Sequence, residues 1–396
     1  MKDNAGLKYR IIVGFSIVMV GTAGNAFTPF APSIIGALVD YLDFSLETAG
    51  RLASLEFGAT SLGTIASVFY LHRPRLNLKR VALVCLGILV ACNAVTIFAY
   101  DSVTLFSTCR FVSGFTAGVT WCTAAVAVTR VRDVERTTAI LYGSPYLMGA
   151  IGLTLLPMIY PYYGVTGAYY TIILICIAAV PFLMLYYPED PRLSSAGEEQ
   201  SEGLADNRVQ WLALGVLLLA LFINYAANSG IWSYFERLGV SYGHAAKTVG
   251  PIVGASQLVA LAGMFCAAAL GGRLGEIKPI LAGTVLITAS TFFLFYSASL
   301  TVFFCATAVF NFSITFLTPY YFILLGRMTP SGRGVLWGNL ILWLGFSSGP
   351  ALVSLFLENG NFDLSIAMTI VGFIISAILV LVFSTINKER AQPFSA

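Results

Sequence analysis

The chain has 396 residues, 58% of them hydrophobic and only 10% charged, with a net charge of +3. A soluble domain carries about 25% charged residues, so too few remain here to cover a water-facing surface. A soluble enzyme, a disordered scaffold and a nucleic-acid-binding protein are excluded, and the mean hydropathy of +0.83 agrees.

Twelve long apolar runs follow one another: 11–38, 48–71, 81–100, 103–129, 137–160, 166–187, 211–235, 248–271, 279–298, 300–326, 334–357 and 364–386. Each reaches the ~20 residues that a helix needs to cross ~30 Å of hydrocarbon, and none alternates as a barrel strand would. An all-α membrane protein of twelve spans is predicted. The first span carries Asn25 and Thr28, with the helix breakers Pro29 and Pro32 after Gly21 and Gly24. The second carries Arg51, close enough to its end to reach the interface, and Glu56, which is not. A mid-span charge costs about 2.5–3.5 kcal/mol, so Glu56 should face the interior, pair, or take up a proton. Thr60, Gly63, Thr64 and Ser67 continue its face as a small, polar stripe.

Arg110 is the third ionisable group within the runs. The two interior charges read either as a fixed ion pair between spans two and four or as a proton-coupling site, with Glu56 as carrier. Span five brings Tyr142 and Tyr146 around Pro145. The stretch 188–210, with six acids against two arginines, is a predicted cytoplasmic linker between halves 1–187 and 211–396. Span seven presents Asn224, Asn228 and Trp232 at helical spacing, with Tyr225 and Ser229 beside them; Glu236 and Arg237 follow as a solvated helix end or a gate pair. Span ten adds Asn311, Thr315 and Thr318, and span eleven Asn339, Trp343 and Ser347. These residues are expected to line a polar, aromatic substrate cavity, although a membrane asparagine also serves as an interhelical hydrogen-bond partner. Tyr100, Tyr160, Tyr162, Tyr163, Tyr186, Tyr187 and Trp211 lie near span ends as predicted interfacial anchors.

Lysine and arginine settle the expected orientation. Eighteen of the 22 fall in the tails and alternate loops, including Arg73, Arg75, Lys79 and Arg80 after span two and Arg273 after span eight. Both termini are therefore placed in the cytoplasm, in a cell (plasma or inner) membrane. Arg73 and Arg273 lie about 200 residues apart, and so do Glu56 and Gln257, which suggests an internal duplication. The seven cysteines sit in apolar runs without a paired CxxC spacing and read as packing residues. No nucleotide loop and no hydrolytic constellation accompanies the spans.

Arg110-Phe-Val-Ser-Gly114-Phe-Thr-Ala resembles the RxxxGxxx signature of the major facilitator superfamily, with Ser113 where Gln is common. Gly271-Gly-Arg273-Leu-Gly275 resembles the second-half copy of its GxxxDRxGR loop, without the acid. The first-half copy, 71–80, keeps the basic residues and lacks the glycines and the Asp. The resemblance implies two six-helix bundles, a cavity lined by spans one, five, seven, ten and eleven, and a coupling role at Arg110. It also implies a cytoplasmic gate around Arg73, Arg80 and Arg273. The antiporter pattern of span five is not matched by Gly143–Gly152.

The expected function is secondary active transport of a small organic solute by alternating access. No cofactor is expected; a proton gradient would drive it, with sodium as the other ion open. The expected partners are the solute and the lipid bilayer, with no nucleic acid and a monomeric state. Two alternatives stand beside it: a non-transporting scaffold or sensor of the same fold, and a lipid or lysolipid translocator.

Overall fold

A computed structural model describes residues 2–70, 76–131, 133–188, 208–329, 333–357 and 361–391. Among these residues there are fourteen α-helices, one 3-10 turn at Leu294–Tyr296 and no strand. The chain divides into two compact units, Met1–Ala196 and Gly197–Ala396. The division falls inside the polar stretch 188–210, of which 189–207 lie outside the described residues. Arg73, Arg75, Arg132 and Arg192 also lie outside them.

The first unit holds α1 (Lys2–Gly24), α2 (Phe27–Leu42), α3 (Leu46–Tyr70), α4 (Leu78–Thr96), α5 (Val103–Val128), α6 (Val134–Tyr163) and α7 (Thr166–Tyr186). The predicted first span is thus two helices. Pro29 has no amide hydrogen for the Asn25 carbonyl and its ring collides with that group, so the helix breaks at Asn25 and Ala26. Asp43, in the left-handed region at φ 53°, closes α2. Ser45 then starts α3 by accepting the Thr48 amide hydrogen at 3.1 Å. Helix α5 is the hub of this unit and packs against α1, α3 and α4.

The second unit holds α8 (Arg208–Ser233), α9 (Phe235–Ser241), α10 (Ala246–Leu270), α11 (Ile277–Phe293), α12 (Leu300–Met328), α13 (Arg333–Ser354) and α14 (Asp363–Ala391). Helix α8 packs on α13 and α14, and α12 on α10 and α11. Small residues set the closest crossing: a Cβ on Gly345 would lie 2.5 Å from the Phe222 carbonyl oxygen, and one on Gly349 2.4 Å from that of Ala226. Such contact between backbones is how helices associate where no water drives them together.

Among the described residues, eleven helical segments are long and apolar enough to cross a membrane, the longest being Tyr9–Leu42. The run predicted at 48–71 forms α3, 25 residues long, of which the side chains of 68–70 lie outside the described residues. Two predicted anchors are corrected. Tyr160 is buried and shares a 3.0 Å hydrogen bond with Ser33, and Tyr187 is buried as well, because both ring faces pack inside the bundle. Tyr162, Tyr163 and Trp211 are exposed.

Candidate functional site

Glycines bring the interior charges together. A Cβ on Gly114 would lie 2.3 Å from the Glu56 carbonyl oxygen, one on Gly118 2.2 Å from that of Thr60, and one on Gly63 2.0 Å from that of Phe115. No real Cβ tolerates such distances, so α3 and α5 meet backbone to backbone only because these positions are glycine. Arg110 and Gly114 stand one turn apart on the same face of α5. The glycine that lets α3 approach therefore also sets Glu56 beside the guanidinium.

Glu56 and Arg110 are each 1% exposed. Their contact is long, 3.5 Å from Arg110 Nη1 to Glu56 Oε2. The other carboxylate oxygen accepts the Ser113 hydroxyl at 3.2 Å. The arginine is held more closely by neutral groups of α4: Nη2 donates to Thr96 Oγ1 at 2.7 Å and to Asn93 Oδ1 at 3.1 Å. Both acceptors are pre-oriented. Asn93 donates its amide to the Leu89 carbonyl at 2.7 Å, and Thr96 gives its proton to the Cys92 carbonyl at 2.7 Å, so each is left presenting oxygen to the cation. The guanidinium carbon lies 4.8 Å from the centre of the Tyr169 ring, a cation–π distance. Arg110 Nε and the Tyr169 hydroxyl have no hydrogen-bond partner among the described residues. The ends of the network reach the loop after α4, where Tyr100 shares a 3.0 Å hydrogen bond with Thr166. Burial pushes the Tyr100 phenol up, so it keeps its proton.

Asn93, Thr96 and Tyr169 were not singled out by the sequence reading. A neutral asparagine or threonine in a span is unremarkable until the facing helix is known; the only sequence signal was that Asn93 and Thr96 share one face of a run neighbouring the two charges.

The second unit buries a different pair. Arg237 donates from Nε to Glu236 Oε2 at 2.6 Å and from Nη2 to Oε1 at 2.8 Å, and both residues are buried. A solvated helix end is therefore incorrect. Helix α8 stops at Ser233, and α9 turns back onto α10 instead of leaving for water. Phe235 stacks edge-on against Phe310 at 5.0 Å, and Gly239 is packed against Val249.

The predicted cavity residues differ in what holds them. Asn224 and Asn311 are buried in contacts between helices: Asn224 donates to Ser376 at 3.4 Å, and Asn311 to Ser256 at 3.0 Å. Tyr225 is tied to Thr318 at 2.6 Å. Trp232 and Trp343 flank Phe346, with ring centres 6.0 and 5.7 Å from it. Asn25 and Asn228 are 9% and 5% exposed and make no side-chain hydrogen bond among the described residues; Tyr146 is half-buried. Asn339 is exposed and turns back to the Val335 carbonyl. Of the predicted gate, Arg73 is outside the described residues, and Arg80 and Arg273 are exposed in separate units. The loop carrying Arg273 turns on Gly271 and Gly275, both at positive φ, and its neighbour Glu276 pairs with Arg327 of α12.

Fold and buried charges together define a multi-pass helical membrane protein with a polar interior. The sequence profile of the Major Facilitator Superfamily matches residues 13–338, and the chain belongs to that family of transporters. No curated protein matches the sequence. Among solved structures it is similar to the nucleoside transporter NupG, at TM-score 0.75 and 12% identity over 96% of this chain and 99% of that one. A mutant of NupG matches at TM-score 0.76 and 10% identity over 94% and 99%. The human organic anion transporter MFSD10 (TETRAN) matches at TM-score 0.63 and 15% identity over 94% and 98%.

Proposed function

We propose that this protein is a proton-coupled secondary transporter of a small organic solute, working by alternating access, with Glu56 as the proton carrier and Arg110 as its tuning partner. The observation that carries this reading is the asymmetry of the buried pair. The carboxylate is held at 3.5 Å by one nitrogen, while the cation has two shorter bonds to neutral groups. Protonating Glu56 then leaves Arg110 still solvated by Asn93, Thr96 and the Tyr169 face, so neutralisation does not strand a buried charge. α3 becomes free to move against α4 and α5. In this reading α3 is the twelfth span, both termini are cytoplasmic, and the protein works as a monomer in the cell membrane.

Asn25, Asn228 and Tyr146, whose polar groups are not committed to hydrogen bonds between helices, and the Trp232–Phe346–Trp343 cluster are the best-placed solute contacts. Amides and aromatic rings without a nearby cation suit an uncharged or cationic solute with a flat, apolar part. Nucleosides, the solutes of the NupG transporter, belong to that class; the organic anions of MFSD10 would need a basic group beyond Arg110.

Proteoliposomes loaded with candidate solutes test this. The expected result is accumulation driven by an inward proton gradient at equal sodium, and loss of accumulation with retained counterflow in Glu56→Gln. Accumulation by Glu56→Gln equal to that of the parent, or accumulation that follows sodium alone, would overturn the assignment. Absence of counterflow for every solute class would favour a scaffold.

A further inference from the structure

The first unit has a second feature that the charge network does not use. Helices α3 and α4 both lie on α5 but, among the described residues, pack little on one another, and beside α4 and α5 runs a groove of about 820 Å³ that reaches Ala66 and Ser67 of α3. Its walls are apolar: Val84 and Ile88 from α4, and Val112, Phe115 and Val119 from α5. Val84 is 60% exposed. Among the described residues one charged side chain lines it, Arg80, in the first turn of α4, and no acid does. Arg80 is exposed and makes no ion pair among the described residues; its backbone is fixed because Asn77 caps the helix by accepting the Arg80 amide hydrogen at 3.0 Å.

From this charge and shape we infer that the groove is a binding site for one acidic phospholipid, its phosphate on Arg80 and an acyl chain laid along Val84, Ile88 and Phe115. Two observations favour this occupant. The groove follows α4 from Arg80 to Ile88, ~12 Å at 1.5 Å per residue, most of the ~15 Å of one leaflet's hydrocarbon. Arg80 stands at one end, where a headgroup would sit, and the rest of the lining is largely apolar, with the Ser67 and Thr116 hydroxyls turned back to carbonyls of their own helices. The lysine and arginine distribution places the Arg80 end in the cytoplasmic leaflet, where acidic lipids concentrate and basic pockets between spans select them. The inner end, Ile88 and Val112, lies within about a turn or two of Asn93 and Arg110, so the lipid braces the helix that holds the buried cation.

The test uses the full chain in detergent, titrated with phosphatidylglycerol or phosphatidylcholine, with bound lipid counted by native mass spectrometry and melting followed in parallel. One phosphatidylglycerol is expected to bind saturably, at least tenfold more tightly than phosphatidylcholine, and to raise the melting temperature. Arg80→Gln removes the headgroup contact and Val84→Trp fills the groove while keeping the charge; each is expected to weaken binding tenfold or more. Arg273→Gln, an exposed cation of the second unit, is expected to leave it unchanged. Both altered side chains are exposed, so folding is preserved and is checked by gel filtration. Equal binding of the two lipids, unchanged binding by Val84→Trp, or equal losses from Arg273→Gln and Arg80→Gln would overturn the proposal.

Discussion

The two halves of the chain solve the same packing problem with different chemistry. In the first, α3 crosses α5 at Gly63, whose Cβ would meet the Phe115 carbonyl oxygen at 2.0 Å; in the second, α10 crosses α12 at Gly263, whose Cβ would meet that of Phe312 at 2.3 Å. The two glycines are 200 residues apart, the offset that the sequence suggests for a duplication. At the same crossing the first half buries Glu56 against Arg110, and about 200 residues on the second half buries Gln257 and joins Asn311 to Ser256. One crossing is charged and can titrate. The other is neutral and cannot. The second half keeps its own buried charges at α9, where Arg237 grips both oxygens of Glu236. A loose pair between helices suits a proton site, whereas a bidentate pair between adjacent residues suits a permanent fixture.

The largest effects are expected where the halves agree. Gly63→Val and Gly263→Val each force a side chain into a backbone carbonyl, beyond the usual ~1–3 kcal/mol of overpacking because backbone cannot step aside. Both variants should yield little monodisperse protein after detergent extraction. If either purifies with parental yield and melting temperature, that crossing is not as tight as described, and the duplicated packing fails on that side.

Converting the charged crossing into the neutral one sharpens the contrast. Glu56→Leu alone leaves a guanidinium that cannot shed its proton but is still held by Asn93, Thr96 and the Tyr169 face, so its cost should fall below the about 3–5 kcal/mol of a buried pair broken from one side. Arg110→Leu alone should cost less, since the carboxylate can take up a proton. Glu56→Gln with Arg110→Asn copies the second half, and should restore melting to within a few degrees of the parent while abolishing proton-driven accumulation. A double variant that still accumulates solute would move the coupling site elsewhere.

The holding role of α4 gives a smaller effect. Asn93→Ala and Thr96→Val each remove a charge-assisted hydrogen bond from a buried arginine, worth about 1.5–3 kcal/mol. The loss should be greater in a Glu56→Gln background, where no carboxylate remains to share the cation, and Thr96→Ser should be near neutral. Strict additivity in a double-mutant cycle of melting free energies would show that Asn93 and Glu56 do not share Arg110.

Much of this was legible in the sequence because membranes make charges scarce. Twelve apolar runs and two charges beyond the reach of either interface leave few arrangements, and Glu56 does meet Arg110. What the sequence did not disclose depends on the rotation of one helix against another. Asn93 and Thr96 looked like any neutral pair until α4 was seen to turn them toward α5. Glu236 and Arg237 looked like the wet end of a span because apolar residues stop there; the break at Tyr234, which folds α9 back onto α10, carries no proline or glycine to mark it. The break in the first span was marked by Pro29, but it falls one turn earlier, at the carbonyl the proline ring displaces.

The smallest effect belongs to the one ion pair at the exposed start of α3. Arg51 bonds Glu47 one turn away, with 63% and 48% of their side chains exposed. Water screens such a pair and two long side chains lose freedom to form it, so its worth is about 0–1 kcal/mol, near the lower end here. Glu47→Gln and Arg51→Gln should each leave melting within about a degree of the parent and accumulation unchanged, in contrast to Glu56, which lies only ~14 Å further along the same helix by its 1.5 Å rise per residue. Raising the salt concentration should change even less, because little attraction remains to be screened. If Arg51→Gln cost as much as Asn93→Ala, burial would not be what separates Arg51 from Arg110, and the weight placed on the interior network would have to be shared with the helix start.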